Sequence, residues 1–132
     1  MSISSAEAEL LDLHDRFCEG FAQRSPEAVL ETLADTPELV VVTSEEPLLR
    51  GSDEVRRFLG RYVAGPITYS WTWDRRDAAT FDTWGCLMAI GSESASGEGG
   101  PKSTPYRMTL VAERTDDRWT VVQVHGSSPH QP

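Results

Sequence analysis

The chain has 132 residues, enough for one domain whose apolar core needs neither disulfide nor metal. Its composition is that of an ordinary globular protein, with 39% hydrophobic and 25% charged residues. The formal net charge of −9 opposes binding to nucleic acid or to an anionic membrane surface. We therefore expect neither of these partners.

The N-terminal sequence and the cysteines argue against export. Residues 1–7 lack the basic start and the apolar stretch of a signal peptide, and no apolar run approaches the roughly 20 residues of a membrane span. Cys18 and Cys86 fall in a predicted helix and a predicted strand, where we expect them to be reduced and buried. These features favour a cytoplasmic protein. We expect residues 1–132 to form a single domain, with a core at 6–127 and a polar tail at 128–132.

Three helices are predicted in the first half of the chain. A capping box formed by Ser4 and Glu7 opens the first, and Pro26 at a first helical position opens the second. The third has the clearest apolar stripe, and Gly65 followed by proline ends it. The predicted bounds are Ser4 to about Gln23, Ser25 to about Ala34, and Ser52 as N-cap to Gly65.

Strands dominate the remainder of the chain. Their predicted bounds are Leu39–Val42, Leu48–Arg50, Ile67–Arg76, Trp84–Glu93, Thr104–Arg114 and Trp119–His125. Residues 45–47 predict a turn, and the glycine- and serine-rich segment 91–101 predicts a long flexible hairpin loop without the spacing of a phosphate-binding loop. Helices followed by a strand meander indicate an α+β domain, with the helices on one face of a strongly curved, mostly antiparallel sheet.

The last two predicted strands carry two different faces, joined by a tight turn at Asp116-Asp117. Alternate strand residues point to opposite faces. The bulky face comprises Tyr106, Met108, Leu110, Ala112, Trp119, Val121, Gln123 and His125. The other face comprises Arg107, Thr109, Val111, Thr120, Val122, Val124 and Gly126. We interpret the small-residue face as the wall of a cavity and the bulky face as one that packs against another surface.

Four stretches of the sequence carry a resemblance to a known family. They are 49–52 continuing into 55–59, then 71–73, 106–109 and 118–127. These stretches resemble the SnoaL-like branch of the nuclear transport factor 2-like superfamily, over Ala6 to Ser127. The resemblance implies a cone-shaped fold with three N-terminal helices, and it implies that Thr120, Val122, Val124 and Gly126 face the cavity. It also implies that the bulky face is the outer surface of a homodimer, as a large apolar patch rimmed by polar groups would be. The superfamily hosts cyclases, isomerases, dehydratases, epoxide hydrolases and kinase association domains, so the fold leaves the function open.

The catalytic positions that the resemblance implies are mostly not matched in this chain. Ketosteroid isomerases have a Tyr where this chain has Phe17, and an Asp base near the position of Val42. Their second acid falls near Arg107 or Thr109. None of these three chemical groups is present, and the small-residue face has no equivalent of the pocket acid of SnoaL-type cyclases. Isomerase chemistry is therefore disfavoured.

Arg107 is the strongest candidate for a functional side chain. A guanidinium that points into a hollow keeps its charge and needs an acidic partner or an anionic ligand. One hypothesis is a clamp for a carboxylate, enolate or phenolate of a small molecule. The other is a salt bridge with an internal acid such as Asp15 or Glu93.

Two histidines and several aromatic residues complete the candidate site. His14 is either a proton carrier or a hydrogen-bonded helix residue near the rim. His125 is an interface residue, unless a slip of one position places it in the pocket. Three histidines without a metal-binding spacing and two cysteines outside a CxxC motif predict no metal, and no cofactor is expected.

Two functions remain open, and with them whether the protein is an enzyme. The first is binding of, or weak acid/base chemistry on, a small hydrophobic anionic or carbonyl-containing molecule, with Arg107 and His14 as catalytic residues. The second is a non-catalytic dimerisation or accessory domain with a vestigial pocket. The residues expected to contact a ligand are Phe17, Tyr62, Trp71, Trp73, Arg107, Thr109 and His125, although the faces of the two tryptophans are left open.

Overall fold

The computed structural model describes residues 4–43 and 48–129, which form three helices and six strands. The helices are α1 (Ser5–Ala22), α2 (Pro26–Thr32) and α3 (Gly51–Ala64). The strands are β1 (Val40–Val42), β2 (Leu49–Arg50), β3 (Thr68–Phe81), β4 (Trp84–Gly97), β5 (Gly100–Thr115) and β6 (Arg118–Ser127). The predicted α+β class is confirmed. The predicted turn at 45–47 and residues 130–132 of the predicted tail lie outside the described residues.

The strands form one curled sheet in the order β2-β1-β6-β5-β4-β3. All neighbouring strands are antiparallel except β1 and β6, which run parallel. The helices cover one face of this sheet, which we call the inner face, and α1 packs against β3. Leu10 and Leu13 of α1 are fully buried, as are Leu59 of α3 and Val121 of β6, so the apolar surface that stabilises the domain lies between the helices and the inner face.

The predicted helix starts are confirmed at two helices and wrong at the third. The Glu7 N–H donates to Ser4 Oγ at 3.1 Å, and the Ala28 N–H donates to Ser25 Oγ at 3.2 Å. Ser52 does not cap α3, because the helix begins one residue earlier, at Gly51. The backbone φ of Gly51 is +84°, which glycine adopts without strain, and this lets the chain pass directly from β2 into α3.

The predicted long loop at 91–101 is wrong. Strand β4 continues to Gly97, β5 begins at Gly100, and the turn occupies only Glu98 and Gly99. Pairing of β4 with both β3 and β5 supplies the backbone hydrogen bonds. The glycines and serines of this segment have low β propensity, which a central strand overrides through its two neighbours.

The predicted faces of β5 are reversed in the structure. Tyr106, Met108, Leu110 and Ala112 are all buried on the inner face. Arg107 and Thr109 are exposed on the opposite, outer face. The bulky face therefore packs against the helices of its own chain and does not form an outer surface.

A β-bulge at Val122 explains why only part of the β6 prediction is right. Val111 pairs with Gln123 and Ala112 pairs with Val121, so Val122 has no partner of its own. The residues of β6 that point inward therefore have odd numbers before the bulge and even numbers after it. The buried, inward residues are thus Trp119, Val121, Val124 and Gly126, whereas Gln123 and His125 are exposed and Thr120 and Val122 are partly exposed.

The two cysteines are free, and neither is fully buried. Cys86 is exposed on β4, where it pairs with Val111 across the outer face. Its predicted burial is wrong because the strand alternation points it away from the helices. In the described part of the chain, no helix combines the length and apolar character required to cross a membrane.

Candidate functional site: an aromatic pocket with one carboxylate

A small apolar pocket lies between α1, α3 and the inner face of the sheet. Its volume is about 50 Å³, room for a few water molecules or a compact organic group. The lining residues are Phe17, Phe21, Val41, Val42, Thr43, Phe58, Tyr69, Trp71, Glu93, Tyr106, Met108, Val124 and Gly126. Among these described lining residues, only Glu93 carries a formal charge. Its carboxylate is therefore the strongest candidate for acid/base chemistry among the described lining residues.

Glu93 lies on β4 directly opposite Trp71 of β3. The Trp71 indole N–H donates to Glu93 Oε2 at 3.0 Å, which partly offsets the cost of placing a carboxylate among apolar side chains. The sequence analysis named Glu93 only as a possible salt-bridge partner of Arg107 and did not identify it as the acid of the pocket. The missed signal is the alternation of buried Leu87, Ala89 and Gly91, which points Glu93 inward two residues later.

Aromatic rings surround this carboxylate through one connected set of contacts. The Trp71 indole packs edge-to-face with Phe21, at 5.6 Å between centroids, and lies 6.2 Å from the Tyr106 ring. On its other side it stacks parallel to Trp73, with an angle of 4° between the ring planes. The open question of the tryptophan faces is thus answered: both lie on the inner face. Trp71 lines the pocket, and Trp73 packs behind it.

Gly126 forms the part of the wall next to Tyr106. A Cβ atom at position 126 would overlap the Tyr106 hydroxyl and lie 2.9 Å from its Cε2. Only glycine lets the Tyr106 ring lie against β6 in this way. The inward orientation predicted for Val124 and Gly126 is correct, and both line the pocket.

Tyr62 does not line the pocket but holds its rim together. Its hydroxyl donates to the Phe21 carbonyl and accepts from the Tyr69 N–H, both at 2.8 Å. Burial raises the pKa of this phenol above its usual value. Since both hydrogen-bonding capacities of the hydroxyl are used, Tyr62 links α1, α3 and β3.

His14 is completely buried between α1 and β3, and the predicted position near the rim is wrong. Arg76 Nη1 lies 3.3 Å from His14 Nδ1; because a guanidinium only donates, Nδ1 is the acceptor and Nε2 carries the proton. Nε2 lies 3.6 Å from Cys18 Sγ. Burial, and then the positive charge of Arg76, lower the pKa of His14 to about 4. His14 does not line the pocket, and both its nitrogens have partners.

The structure separates Arg107, Thr109 and His125 from the pocket. All three are exposed on the outer face, where Thr109 pairs with His125. Neither hypothesis for Arg107 fits this position, because it does not point into the hollow. The two proposed acidic partners bond elsewhere: Asp15 with Arg76 at 2.6 Å, and Glu93 with Trp71.

Metal binding has no support in the part of the chain that the structure describes. Within residues 4–43 and 48–129, no three His, Cys, Asp or Glu side chains come together as a metal site requires. The pocket presents oxygen and nitrogen atoms from Glu93, Tyr106 and Trp71, and these suit hydrogen bonding and proton transfer.

Comparison with known proteins first defines the class through the fold. A nuclear transport factor 2-like superfamily protein from Salmonella enterica superposes with a TM-score of 0.86 at 16% identity, covering 98% of this chain and 95% of that one. A proposed dehydratase of the same superfamily from Streptomyces avermitilis has a TM-score of 0.85 at 15% identity, with 97% and 100% covered. The fold is therefore nuclear transport factor 2-like.

A third structural relative and a match to a sequence family complete the comparison. A proposed calcium/calmodulin-dependent kinase II association domain from Exiguobacterium sibiricum has a TM-score of 0.77 at 13% identity, with 100% of this chain and 99% of that chain covered. A comparison with curated proteins finds no match. The sequence itself matches the SnoaL-like domain over residues 10–131, and the chain belongs to this family.

Proposed function

We propose that the pocket binds a compact, hydrophobic, carbonyl-containing molecule and that Glu93 transfers a proton at it. The observation that supports this proposal is the carboxylate of Glu93, the one charged side chain among the described lining residues, placed beside aromatic rings in a SnoaL-like domain. Glu93 takes the role that the sequence suggested for His14 and Arg107. Neither of those two residues lines the pocket.

The proposed chemistry is general acid/base catalysis next to a carbonyl group. The Glu93 carboxylate accepts a proton from the carbon adjacent to the carbonyl, and the resulting acid returns a proton to that same carbon of the enolate. The Trp71 N–H on Oε2 orients the carboxylate during this transfer. Tyr106 lines the same pocket and contributes an aromatic wall to it. The position of the isomerase base, near Val42, is apolar here, so this placement of the acid differs from that family's.

An anionic ligand is disfavoured by the same geometry. Arg107, the cation that motivated that hypothesis, is exposed on the outer face. The described lining residues present one negative charge and several aromatic rings, whose faces are also negative. We therefore retain the carbonyl-containing class and not the anionic one.

Deuterium exchange into a small ketone tests this proposal. Acetone and cyclopentanone in D2O, followed by proton NMR, report loss of hydrogen at the carbons beside the carbonyl. We expect wild-type protein to accelerate exchange and Glu93→Gln to reduce the acceleration at least about 100-fold. Glu98→Gln, in the turn of the same hairpin, is the matched control and should exchange as wild type. Exchange that survives in Glu93→Gln would contradict the proposal.

A second candidate function, dimerisation, is favoured by the outer face of the sheet. Phe81, Trp84 and Ile90 are 64%, 47% and 43% exposed, and Phe81 pairs with Trp84 across neighbouring strands. We propose that a second copy of the chain covers this strip, which replaces the bulky face predicted from sequence. A contiguous apolar surface of this kind is typical of homo-oligomer interfaces. One structural relative is described as an association domain.

Sedimentation velocity tests the proposed dimer. We expect wild-type protein to sediment as a dimer at micromolar concentration and Trp84→Glu to sediment as a folded monomer. Ile67→Glu is the control, because Ile67 is also exposed, at 41%, but lies just before β3, outside the strip. A monomeric wild type would refute this second function.

A further inference from the structure

The outer face of the sheet carries opposite charges at its two ends. At one end, Arg107 of β5 pairs with Ile90 of β4; at the other, Glu113 of β5 pairs with Trp84 of β4. Both charged residues alternate with buried neighbours and so point outward. Six positions along one strand separate them by about 20 Å. We call the first the basic end and the second the acidic end of the outer face.

Arg107 and Glu113 are available for contacts with another molecule. The neighbouring cation at the basic end, Arg75, already donates to Asp77 at 3.0 Å. In the described part of the chain, the structure records no side-chain hydrogen bond or ion pair for Arg107 or for Glu113. A second molecule can therefore pair with both charges without breaking a contact inside this chain.

The acidic end also contains a groove. Its volume is about 430 Å³, Trp84 forms part of its wall, and the charged residues among its described lining are Glu38 and Glu113, both acidic. Such a groove suits an apolar side chain that has a cation beside it. The basic end presents this combination, because Ile90 is 43% exposed and pairs with Arg107.

Twofold symmetry can bring the basic end of one copy to the acidic end of another. When two outer faces meet, the symmetry axis lies in the plane between them, and every contact between two different residues occurs twice. An axis that runs across the strands, between the positions of Thr109 and Val111, reverses the direction of β5. Arg107 of each copy then lies against Glu113 of the other. An axis parallel to the strands would instead place like charges together, which opposes association.

We infer that the second copy binds in this antiparallel orientation, with Arg107 of each copy paired to Glu113 of the other and Ile90 in the groove beside Trp84. This inference rests on the proposed dimer, because it requires that a second copy cover the outer face. It goes further by naming the orientation of that copy and the charged residues that select it.

Charge reversal tests the pairing. The variants are Arg107→Glu, Glu113→Arg and the double variant that combines both changes, and sedimentation equilibrium at physiological ionic strength gives the Kd of each dimer. Reversal is used because the loss of an exposed ion pair by itself changes association little. Each single variant should raise the Kd at least about tenfold, since two attractive contacts become repulsive. The double variant should return to within about threefold of wild type, because the two reversed charges attract again.

Two controls make the same changes of charge outside the proposed contact. Lys102→Glu lies on β5, but its position shares the inward alternation of Tyr106. Glu98→Arg lies in the turn between β4 and β5. Both should keep the wild-type Kd within about threefold, since neither position meets the second copy.

A mixture of the two single variants adds a test that also shows whether they are folded. Arg107→Glu is acidic at both ends of the outer face, and Glu113→Arg is basic at both ends. Each variant alone should dimerise weakly, whereas an equimolar mixture should dimerise about as tightly as wild type. Misfolded variants would not recover on mixing.

Each other outcome overturns the inference in a recognisable way. A monomeric wild type would remove the dimer and the inference together. A dimer whose Kd is unchanged in both single variants would keep the dimer and remove the pairing. Weakening in the single variants without recovery in the double variant would place Arg107 and Glu113 against other residues and remove the antiparallel orientation. Equal weakening in Lys102→Glu would mean that net charge alone controls association.

Discussion

Two polar groups lie on either side of the stacked indoles of Trp71 and Trp73, His14 on α1 and Glu93 on β4, and they differ in how deeply they are buried. His14, next to Trp73, is fully buried, and both of its ring nitrogens have protein partners. Glu93, next to Trp71, is only partly buried and borders a pocket. Both have an aromatic neighbour, but only Glu93 can meet a small molecule.

This difference shows that residue type alone does not identify a functional site. A histidine is the usual proton carrier near neutral pH. Here its surroundings hold it neutral and enclosed, which makes it a structural residue. The carboxylate, which in isolation suggests a solvated surface, is the group placed at the pocket.

The largest expected effect is on the free energy of unfolding, which should fall when His14 is replaced and change little when Glu93 is replaced. His14→Ala should lower the free energy of unfolding by about 2–4 kcal/mol, because it opens a cavity and leaves Arg76 without one of its partners. Glu93→Gln keeps the volume and should change it by less than about 1 kcal/mol. Urea denaturation at neutral pH measures both. A loss in Glu93→Gln as large as that in His14→Ala would mean that Glu93 is structural as well.

We expect the titration of His14 to make the free energy of unfolding depend on pH. Its pKa of about 4 in the folded protein lies below the ordinary value of 6.5, so the unfolded chain takes up a proton first as the pH falls. Stability from this group is present above pH 6.5 and is lost as the pH falls towards 4, by about 3 kcal/mol in total. The groups that face the ring are Arg76, Asp15, Cys18 and Trp73.

Denaturation of wild type and of His14→Ala is measured over the same pH range. The difference between the two series gives the contribution of this histidine to the free energy of unfolding, separate from that of carboxyl groups that titrate in the same range. We expect the stability of His14→Ala to depend less on pH between 6.5 and 4 than that of wild type. Identical slopes for the two proteins would contradict a neutral, buried imidazole.

A smaller effect is expected at the pocket wall. Gly126→Ala forces the Tyr106 ring to move, since a Cβ atom overlaps its hydroxyl, and should destabilise the fold by about 1–3 kcal/mol. It should also reduce the acceleration of ketone exchange, because Tyr106 lines the pocket. The control is Gly60→Ala in α3, where no atom lies within 4 Å of the added carbon, and this change should stabilise by up to about 1 kcal/mol. Equal effects at the two glycines would argue against close contact with Tyr106.

The smallest expected effect is at Arg107. Because its side chain is exposed on the outer face, Arg107→Ala should change the free energy of unfolding by less than about 0.5 kcal/mol. It should leave ketone exchange unchanged. Loss of exchange in this variant would return the functional site to the outer face and remove the contrast between Glu93 and His14.

The parts of the site that the sequence predicted are those set by neighbours along the chain. Phe17 was predicted as a pocket wall from helical spacing, and it lines the pocket; Trp71 was a candidate whose face was left open, and it lines the pocket as well. Glu93 was named only as a possible partner of Arg107, and Arg107 was chosen as the functional residue, because two strand features depend on distant partners. One is the continuation of β4 through a glycine- and serine-rich segment, and the other is the bulge at Val122.

The sequence by itself determined the α+β class, the family and the approximate bounds of most helices and strands. Capping residues and apolar periodicity act within a few residues, so their effect can be read from the chain alone. Only the tertiary structure decided which face of the sheet the helices cover, and hence which side chains meet in the pocket. The local sequence gives almost no free-energy preference for burying one face of a strand over the other. Packing of the sheet against α1 and α3 decides which face is buried.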